Sequence, residues 1–172
     1  PAKILKCFGS VSDPKSISLI AIITQGIATE FPDEVMKEAE KSQLPKLGTR
    51  TDFRNIPLIT VDPSDARDHD DAIWAEMDSD PKNEGGCHII VAIADVAKYV
   101  KPSSELDKEA RKRGNSTYFP DRVVPMLPEA LSNGLCSLHE GEDRDTMAVH
   151  IWFDKRGKKI NHKFERGLMN SH

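Results

Sequence analysis

The sequence predicts an α+β fold, a mixed β-sheet with flanking helices, in a chain of 172 residues. Apolar residues near the N terminus recur at the spacing of an amphipathic helix. Residues 88–94 are nearly all aliphatic, which is typical of a central strand covered on both faces. Residues 146–153 alternate in polarity, and after a turn at 154–157 a second strand returns at 159–166. A chain of this length can bury the core of one medium domain.

The N-terminal segment predicts a strand and then a helix. Residues 4–8 form a short strand that ends at Gly9 and has no evident partner, so we expect it to close a domain lying upstream. Asp13 and Pro14 are typical of the first turn of a helix, and Gly26 should end that helix.

Further elements follow from turn residues and apolar spacing. A second helix should begin at 31–34, where acidic residues suit its positive end, and a linker at 41–50 follows. In chain order, the remaining predictions are a strand at 56–61, a strand at 71–77, a polar turn at 78–86, a helix from Ser103 or Ser104 to Gly114, an irregular segment at 115–128 and a short helix at 128–131.

An acidic segment lies between two of the predicted strands, with aspartates at Asp62, Asp65, Asp68, Asp70 and Asp71. Carboxylates held this close repel one another, and one must stay protonated unless a cation neutralises the group. Hard divalent cations bind oxygen ligands, and magnesium takes few carboxylates, which leaves room for water and phosphate. The segment therefore predicts a metal site on a loop between two buried strands.

Two other interpretations of the acidic segment stay open from the residues alone. Composition favours an ordinary turn, because Asp and Pro both stabilise turn backbone. A calcium loop of the helix-loop-helix type fits poorly in its spacing. Counted from Asp68, Ile73 stands where the loop needs Gly, and Ser79 stands where it needs a bidentate Glu.

Composition bounds the class of protein and its compartment. The net charge of −4 and the pI near 5.9 do not indicate a basic nucleic-acid-binding surface, although basic residues could cluster away from an acidic metal centre. Three widely spaced cysteines form neither a disulfide framework nor a zinc pattern, which fits a reducing, cytoplasmic location. No stretch of these residues has the pattern of a signal peptide, and no apolar run approaches the roughly 20 residues of a membrane span, so we expect no membrane association.

Five sequence blocks occur in a fixed order, at 62–71 (the aspartates), 91–96 (VAIADV), 106–110 (LDKEA), 116–122 (STYFPDR) and 135–138 (LCSL). In order and spacing they resemble the catalytic RNB domain of the ribonuclease II/ribonuclease R exoribonucleases. The sequence of residues 125–138 and the insertion at 78–86 are more similar to bacterial ribonuclease R than to ribonuclease II.

The resemblance implies a domain organisation for the whole chain. Residues 1–12 would be the last part of a cold-shock (OB-type) domain, 13–49 a helical connector, and 50–172 the N-terminal part of an RNB catalytic domain. The remaining catalytic residues and a C-terminal RNA-binding domain would lie beyond this chain. We therefore expect the isolated chain to be inactive, to bind RNA weakly and to self-associate through an uncovered sheet edge or apolar face.

The resemblance also implies an activity and its cofactor. The parent protein would be a processive 3′-to-5′ hydrolase that uses Mg²⁺, binds single-stranded RNA by its 3′ end and releases nucleoside 5′-monophosphates. By motif position, Asp62, Asp68 and Asp71 would bind metal, and Asp70 would bind metal and be indispensable to the chemical step. Asp65 falls in the gap between required positions and is interpreted as a turn residue.

Other residues have both a functional and a plainer interpretation. Tyr118 would stack on the 3′-terminal nucleotide, or else belong to the core beside Phe119. Arg122 would contact a phosphate, or else only pair with Asp121. His69 invites a general-base role, but a structural hydrogen bond or solvent exposure is the favoured interpretation.

A basic helix face could line an RNA path, although such faces are usually solvated; its residues are Lys108, Arg111, Lys112 and Arg113. Cys136 should be buried as a small apolar residue. The rival to the enzyme hypothesis is a non-catalytic module that binds RNA or holds a structural metal.

Overall fold

The computed structural model describes residues 2–4, 9–10, 13–64 and 66–172. The predicted strand at 4–8 falls mostly outside the described residues, and so do Cys7 and Asp65. The helices are α1 (Pro14–Thr24), α2 (Asp33–Glu40) and α3 (Glu105–Arg113). The strands are β1 (Thr51–Asp52), β2 (Asp71–Met77), β3 (Cys87–Ala94), β4 (Thr117–Phe119), β5 (Arg122–Val124), β6 (Asp143–Phe153) and β7 (Lys159–Asn170).

Five of the seven described strands form a mixed sheet in the order β1-β7-β6-β3-β2, and β4 and β5 form a separate hairpin. This architecture confirms the predicted α+β class. Strand β1 runs parallel to β7, and the other neighbours are antiparallel. Strands β6 and β7 are joined by the predicted turn, in which the Asp154 amide donates to the Lys158 carbonyl (2.9 Å). Both strands continue several residues beyond the predicted bounds, toward the end of the sheet that carries the acidic segment.

The helices begin and end where capping chemistry predicts. Asp13 accepts a hydrogen bond from the Lys15 amide at the start of α1 (3.0 Å). Of the two candidate caps of α3, the structure selects Ser104, which accepts from the Asp107 amide (3.2 Å). Gly114 ends α3 with φ +79°, a left-handed conformation that glycine adopts without strain. Within the described residues, each helix is too short or too polar to cross a bilayer.

One face of the sheet carries the core. Small and apolar side chains of the central strands, among them Ile90, Ala92 and Ala148, are buried against the inner faces of α2 and α3. The same cluster includes Leu131 and Leu138 from the segment that follows the β4–β5 hairpin. This packing places that later segment directly behind the acidic loop.

The opposite face of the sheet is apolar and open. Direct cross-strand partners share a face, so Ile73, Val91, Val149 and Phe164 form one row across β2, β3, β6 and β7. Ile73 and Phe164 are 43% and 65% exposed. The prediction that 88–94 is covered on both faces is therefore wrong. Helices α2 and α3 pack on the other face of the sheet, and Ile93 is 52% exposed.

The predicted strand at 56–61 is absent as a continuous element. Ile59 makes a single antiparallel bridge with Ile73, through hydrogen bonds of 3.1 and 2.9 Å. Pro57 has no amide hydrogen and cannot extend a ladder. Leu58 is completely buried whereas Val61 is exposed, so the segment anchors the acidic loop without forming a strand.

The segment predicted to be irregular, 115–128, contains the β4–β5 hairpin, so that prediction is wrong. Phe119 pairs with Arg122, which leaves Pro120 and Asp121 as the two turn residues. Each strand has only three residues, which is too short for alternation to be visible in the sequence. The short helix predicted at 128–131 is present as a wider helical turn, Ala130–Leu135.

Candidate active site

The acidic loop, residues 62–70, runs from the bridge at Ile59 to the first residue of β2. Its end is fixed because the Ala94 amide donates to the Asp70 carbonyl (2.9 Å). Asp71 then begins β2 opposite Ile93. The loop therefore lies at the edge of the sheet, where β2 begins and β3 ends.

A cleft of about 730 Å³ lies beside this loop. Asp62, Asp68 and Asp70 line it, together with Tyr118 and Arg122 of the β4–β5 hairpin. The structure thus brings five of the predicted site residues into one cavity. The sixth, Asp71, is exposed at the start of β2 and does not line the cleft, but its charge acts on Asp70.

Electrostatic repulsion is concentrated on Asp70. Partial burial and the neighbouring charge of Asp71 raise the pKa of the Asp70 carboxyl, and Asp68 and Asp62 add to the shift. A raised carboxyl pKa is the expected result when like charges share a partly desolvated site. The group therefore favours a proton or a cation at Asp70.

Two of the predicted ligands are held by hydrogen bonds. His69 Nδ1 lies 2.8 Å from Asp62 Oδ2, which agrees with the favoured structural role for His69. The Tyr118 hydroxyl donates to Asp68 Oδ2, and this bond together with burial raises the pKa of the Tyr118 phenol to about 12. Tyr118 is 63% exposed, so its interpretation as a core residue is wrong.

The arginine of the hairpin is already paired. Arg122 Nε and Nη2 donate to Asp121 Oδ2 at 2.9 and 2.7 Å, as the plainer interpretation expected. Arg122 also lines the cleft. Contact with a phosphate stays a prediction for this residue.

The basic residues of α3 do not form an unpaired positive face. Lys108, Arg111 and Lys112 are exposed, and each lies within 4 Å of a carboxylate on the same helix. The Arg113 side chain is only 7% exposed, pairs with Glu109 (2.9 Å) and donates to the carbonyls of Ala28 and Pro125. The interpretation of Arg113 as part of an exposed RNA path is therefore wrong.

The 135–138 block supplies contacts that sequence reasoning missed. Cys136 is buried, as predicted, and burial raises the pKa of its thiol to about 12. Its neighbour Ser137 is completely buried and hydrogen-bonds the acidic loop at two positions. Only the order of the blocks hinted that the segments meet, since no local pattern shows a contact across about 70 residues.

A second buried network of charges lies beside the site. Asp95 follows β3, and its carboxylate lies 2.6 Å from Arg50 Nη2. Arg50 Nε also lies 2.8 Å from Asp145 Oδ1, and Lys98 and Tyr99 complete the partners of Asp145. Buried charges are tolerated when they are paired in this way. The network fixes the ends of β3 and β6 next to Asp70.

The acidic residues fit a hard divalent cation in donor type and charge. Oxygen ligands and a repulsive carboxylate group are what such a cation stabilises. In the described part of the chain, however, no three His, Cys, Asp or Glu side chains converge closely enough to hold a metal ion. Asp62 and Asp68 are engaged by His69 and Tyr118, so a cation must compete with both hydrogen bonds.

Comparison with known proteins identifies the family. The RNB domain family matches residues 50–172, which contain the whole cleft. The chain belongs to the RNB domain family. Within this family, ribonuclease R of Vibrio parahaemolyticus is 46% identical over 175 residues, a match that covers 99% of this chain and 20% of that protein. The chain thus spans about a fifth of the length of this relative.

Solved structures agree with the fold of the RNB chain. A Mycoplasma genitalium RNase R in complex with double-stranded RNA matches with a TM-score of 0.86 and 34% identity, covering 95% of this chain and 29% of that chain. Yeast Ssd1, described as a pseudonuclease, matches with a TM-score of 0.72 over 95% of this chain and 21% of that chain. At 19% identity, the second match shows the fold alone.

Proposed function

We propose that the protein containing this chain is a processive 3′-to-5′ exoribonuclease that uses Mg²⁺ to hydrolyse single-stranded RNA to nucleoside 5′-monophosphates. One observation carries the proposal. Three carboxylates of the acidic loop, including Asp70 with its raised pKa, line one cleft together with the exposed ring of Tyr118. The identity of 46% to a ribonuclease R supports the same activity.

The acidic residues have two proposed roles, metal binding and participation in the chemical step at the phosphate. Bound Mg²⁺ would neutralise phosphate charge, lower the pKa of a water molecule and stabilise the leaving oxygen. Asp62, Asp68 and Asp71 are the proposed ligands, with Asp70 as an additional ligand indispensable to the chemical step. Asp70 suits this role because partial burial and the neighbouring carboxylates raise the pKa of its carboxyl, so a nearby cation would stabilise its charged form.

Tyr118 and Arg122 would bind the RNA. An exposed aromatic ring stacks on any base, which suits an enzyme that degrades RNA without regard to sequence. The hydrogen bond of Tyr118 to Asp68 orients the ring beside the acidic loop. Arg122 could contact a phosphate while it stays anchored to Asp121.

The proposed activity belongs to the longer protein. The chain covers 20% of its ribonuclease R relative, and we propose that alone it hydrolyses no RNA and binds RNA weakly. We assign residues 1–12 to the end of a cold-shock-type domain and 13–49 to a helical connector. We place the protein in the cytoplasm, where its cysteines would stay reduced.

The test is Asp70→Asn in the full-length protein. Hydrolysis of a 3′-tailed single-stranded RNA is expected to be lost, because the substitution removes the carboxylate charge without a large change of shape. RNA binding, measured by fluorescence anisotropy in Mg²⁺, is expected to persist. Asp80→Asn is the matched control, because Asp80 only caps a turn at the far end of β2.

The same experiment separates the enzyme from a non-catalytic RNA-binding or structural metal module. If full-length Asp70→Asn hydrolyses RNA at the wild-type rate, or if chelation of divalent ions leaves hydrolysis unchanged, the proposed mechanism is wrong. A module without catalysis would bind RNA equally in both forms, and neither form would release nucleotides.

A further inference from the structure

The acidic loop is held from behind by one serine hydroxyl. Ser137 Oγ accepts a hydrogen bond from the His69 amide (3.1 Å) and donates one to the Arg67 carbonyl (2.9 Å). These two groups belong to the peptide units on either side of Asp68. The hydroxyl therefore fixes the backbone on both sides of a single cleft-lining aspartate.

The serine is itself rigidly placed. Ser137 is completely buried, and its carbonyl accepts from Arg144 Nε at 2.7 Å. The next residue, Leu138, donates its amide to the His69 carbonyl (2.7 Å) and is buried in the core. His69 is thus held by both of its backbone polar groups, while its ring reaches Asp62.

This arrangement links one buried hydroxyl to two of the proposed ligands. Rotation of the peptide units at 67–69 would swing the Asp68 side chain out of the cleft. The same rotation would move the His69 ring and, with it, the Asp62 carboxylate. Groups that orient metal ligands in this way typically change metal affinity by about 10–100-fold when they are removed.

We propose that Ser137 is a positioning residue for the cation site, acting through Asp68 and through His69 on Asp62. The proposal rests on the proposed function, since it assumes that these aspartates bind divalent ions. Ser137 lies behind the loop and does not line the cleft. Its effect is therefore expected in metal affinity rather than in contact with RNA.

The test measures Mn²⁺ binding to the full-length protein by electron paramagnetic resonance, with hydrolysis measured in parallel across Mn²⁺ concentrations. The variants are Ser137→Ala, which removes the hydroxyl, and Ser137→Cys, which replaces it with a somewhat larger thiol that forms only weak hydrogen bonds. Both are expected to weaken Mn²⁺ binding by about 10–100-fold. Saturating Mn²⁺ should recover most of kcat, and hydrogen exchange at the His69 amide should accelerate.

Two further variants serve as controls, one for loss of a metal ligand and one for loss of a serine hydrogen bond elsewhere in the fold. Asp68→Asn removes a proposed ligand, so it should weaken Mn²⁺ binding, and saturating metal should not restore kcat. Ser104→Ala removes another serine that accepts from a backbone amide, in the cap of α3 outside the acidic loop. It should leave Mn²⁺ affinity unchanged and thereby exclude a general effect of lost stability.

Each outcome decides the question. Wild-type Mn²⁺ affinity in a folded Ser137 variant, when Asp68→Asn weakens binding, overturns the positioning role and leaves the proposed function intact. Loss of folded structure in both Ser137 variants also overturns it, because Ser137 would then be required for folding rather than for the site. Wild-type Mn²⁺ affinity in Asp68→Asn would instead count against the proposed metal site.

Discussion

At the residue scale, the contact between Tyr118 and Asp68 joins the hairpin to the acidic loop across 50 positions of sequence. An exposed phenol normally has few constraints, but here its hydroxyl is fixed by a carboxylate that lines the same cleft. The ring is consequently presented beside the acids in one orientation. This geometry separates the role of the ring from the role of the hydroxyl.

Substitution of Tyr118 tests that separation in the full-length protein. Tyr118→Ala should weaken binding of single-stranded RNA by about 1–3 kcal/mol, because the stacking surface is lost. Tyr118→Phe keeps the ring and should retain most of the affinity. Fluorescence anisotropy gives the dissociation constants, and Leu44→Ala, which removes an exposed apolar side chain outside the sheet and the cleft, is the control. Equal losses in Phe and Ala variants would contradict stacking.

At the element scale, β3 and β6 are joined by a pair of imidazoles, half-buried His88 and buried His150, as well as by their ladder. His88 Nε2 lies 2.9 Å from His150 Nδ1, and the Trp152 ring stacks on His88 at a centroid distance of 4.4 Å. Burial is the main cause that lowers the pKa of both histidines. Glu165 opposes the shift of His150, and Glu76 and Asp78 oppose that of His88.

The sign of the pH dependence follows from these pKa shifts. The unfolded chain takes up protons on histidine near pH 6.5, whereas the folded pair resists protonation. Stability from the neutral pair is therefore complete above about pH 6.5 and is lost as the pH falls toward the lowered pKa values. The free energy of unfolding of this chain, from urea titrations, should be smaller at pH 5.5 than at pH 7.5.

One variant separates the contribution of the histidine pair to the pH dependence of stability from the contribution of the carboxylates. His88→Gln should reduce the slope between the two pH values, because one titrating group and its charge on His150 are removed. His162→Gln, at an exposed position of β7, should keep the wild-type slope. If His88→Gln leaves the pH dependence of the free energy of unfolding unchanged, the histidine pair does not cause that dependence.

At the scale of the whole molecule, the open apolar face of the sheet is the surface through which we expect copies of the chain to associate. Exposed apolar surface of this extent usually marks a contact with another chain or domain. Ile93 and Phe164 lie on this face at 52% and 65% exposure. We expect isolated copies of this chain to self-associate through it.

Sedimentation velocity at increasing concentration measures that association. The double variant Ile93→Thr/Phe164→Ser should shift the chain toward the monomer, because it removes apolar surface while keeping residues that strands accept. Leu44→Ser removes a hydrophobic residue that is 72% exposed but lies outside the sheet, so the distribution should stay as in the wild type. A wild-type chain that is monomeric at all concentrations would contradict this expectation.

The sequence predicted the site better than the surroundings of the site. Residue type and spacing predicted only a metal site on the acidic segment, whereas the resemblance implied the set Asp62, Asp68, Asp70 and Asp71. The cleft is lined by the first three, and Asp71 lies outside it at the start of β2. The hairpin that carries Tyr118 escaped prediction because three-residue strands show no periodicity. The apolar run at 56–61 predicts a strand, but Pro57 within it has no amide hydrogen to donate to a ladder. The hold of Ser137 on the acidic loop depends on a contact between distant segments, which no local pattern encodes.

The most direct measurement is a crystal structure of the full-length protein with Asp70→Asn, prepared with Mg²⁺ and a single-stranded oligonucleotide. The substitution should slow hydrolysis enough to trap the RNA. We predict Mg²⁺ held by carboxylate oxygens of Asp62, Asp68 and Asp71 beside the 3′-terminal phosphodiester, with the last base on the Tyr118 ring. Carboxylates directed into bulk water, with the RNA bound elsewhere, would contradict it.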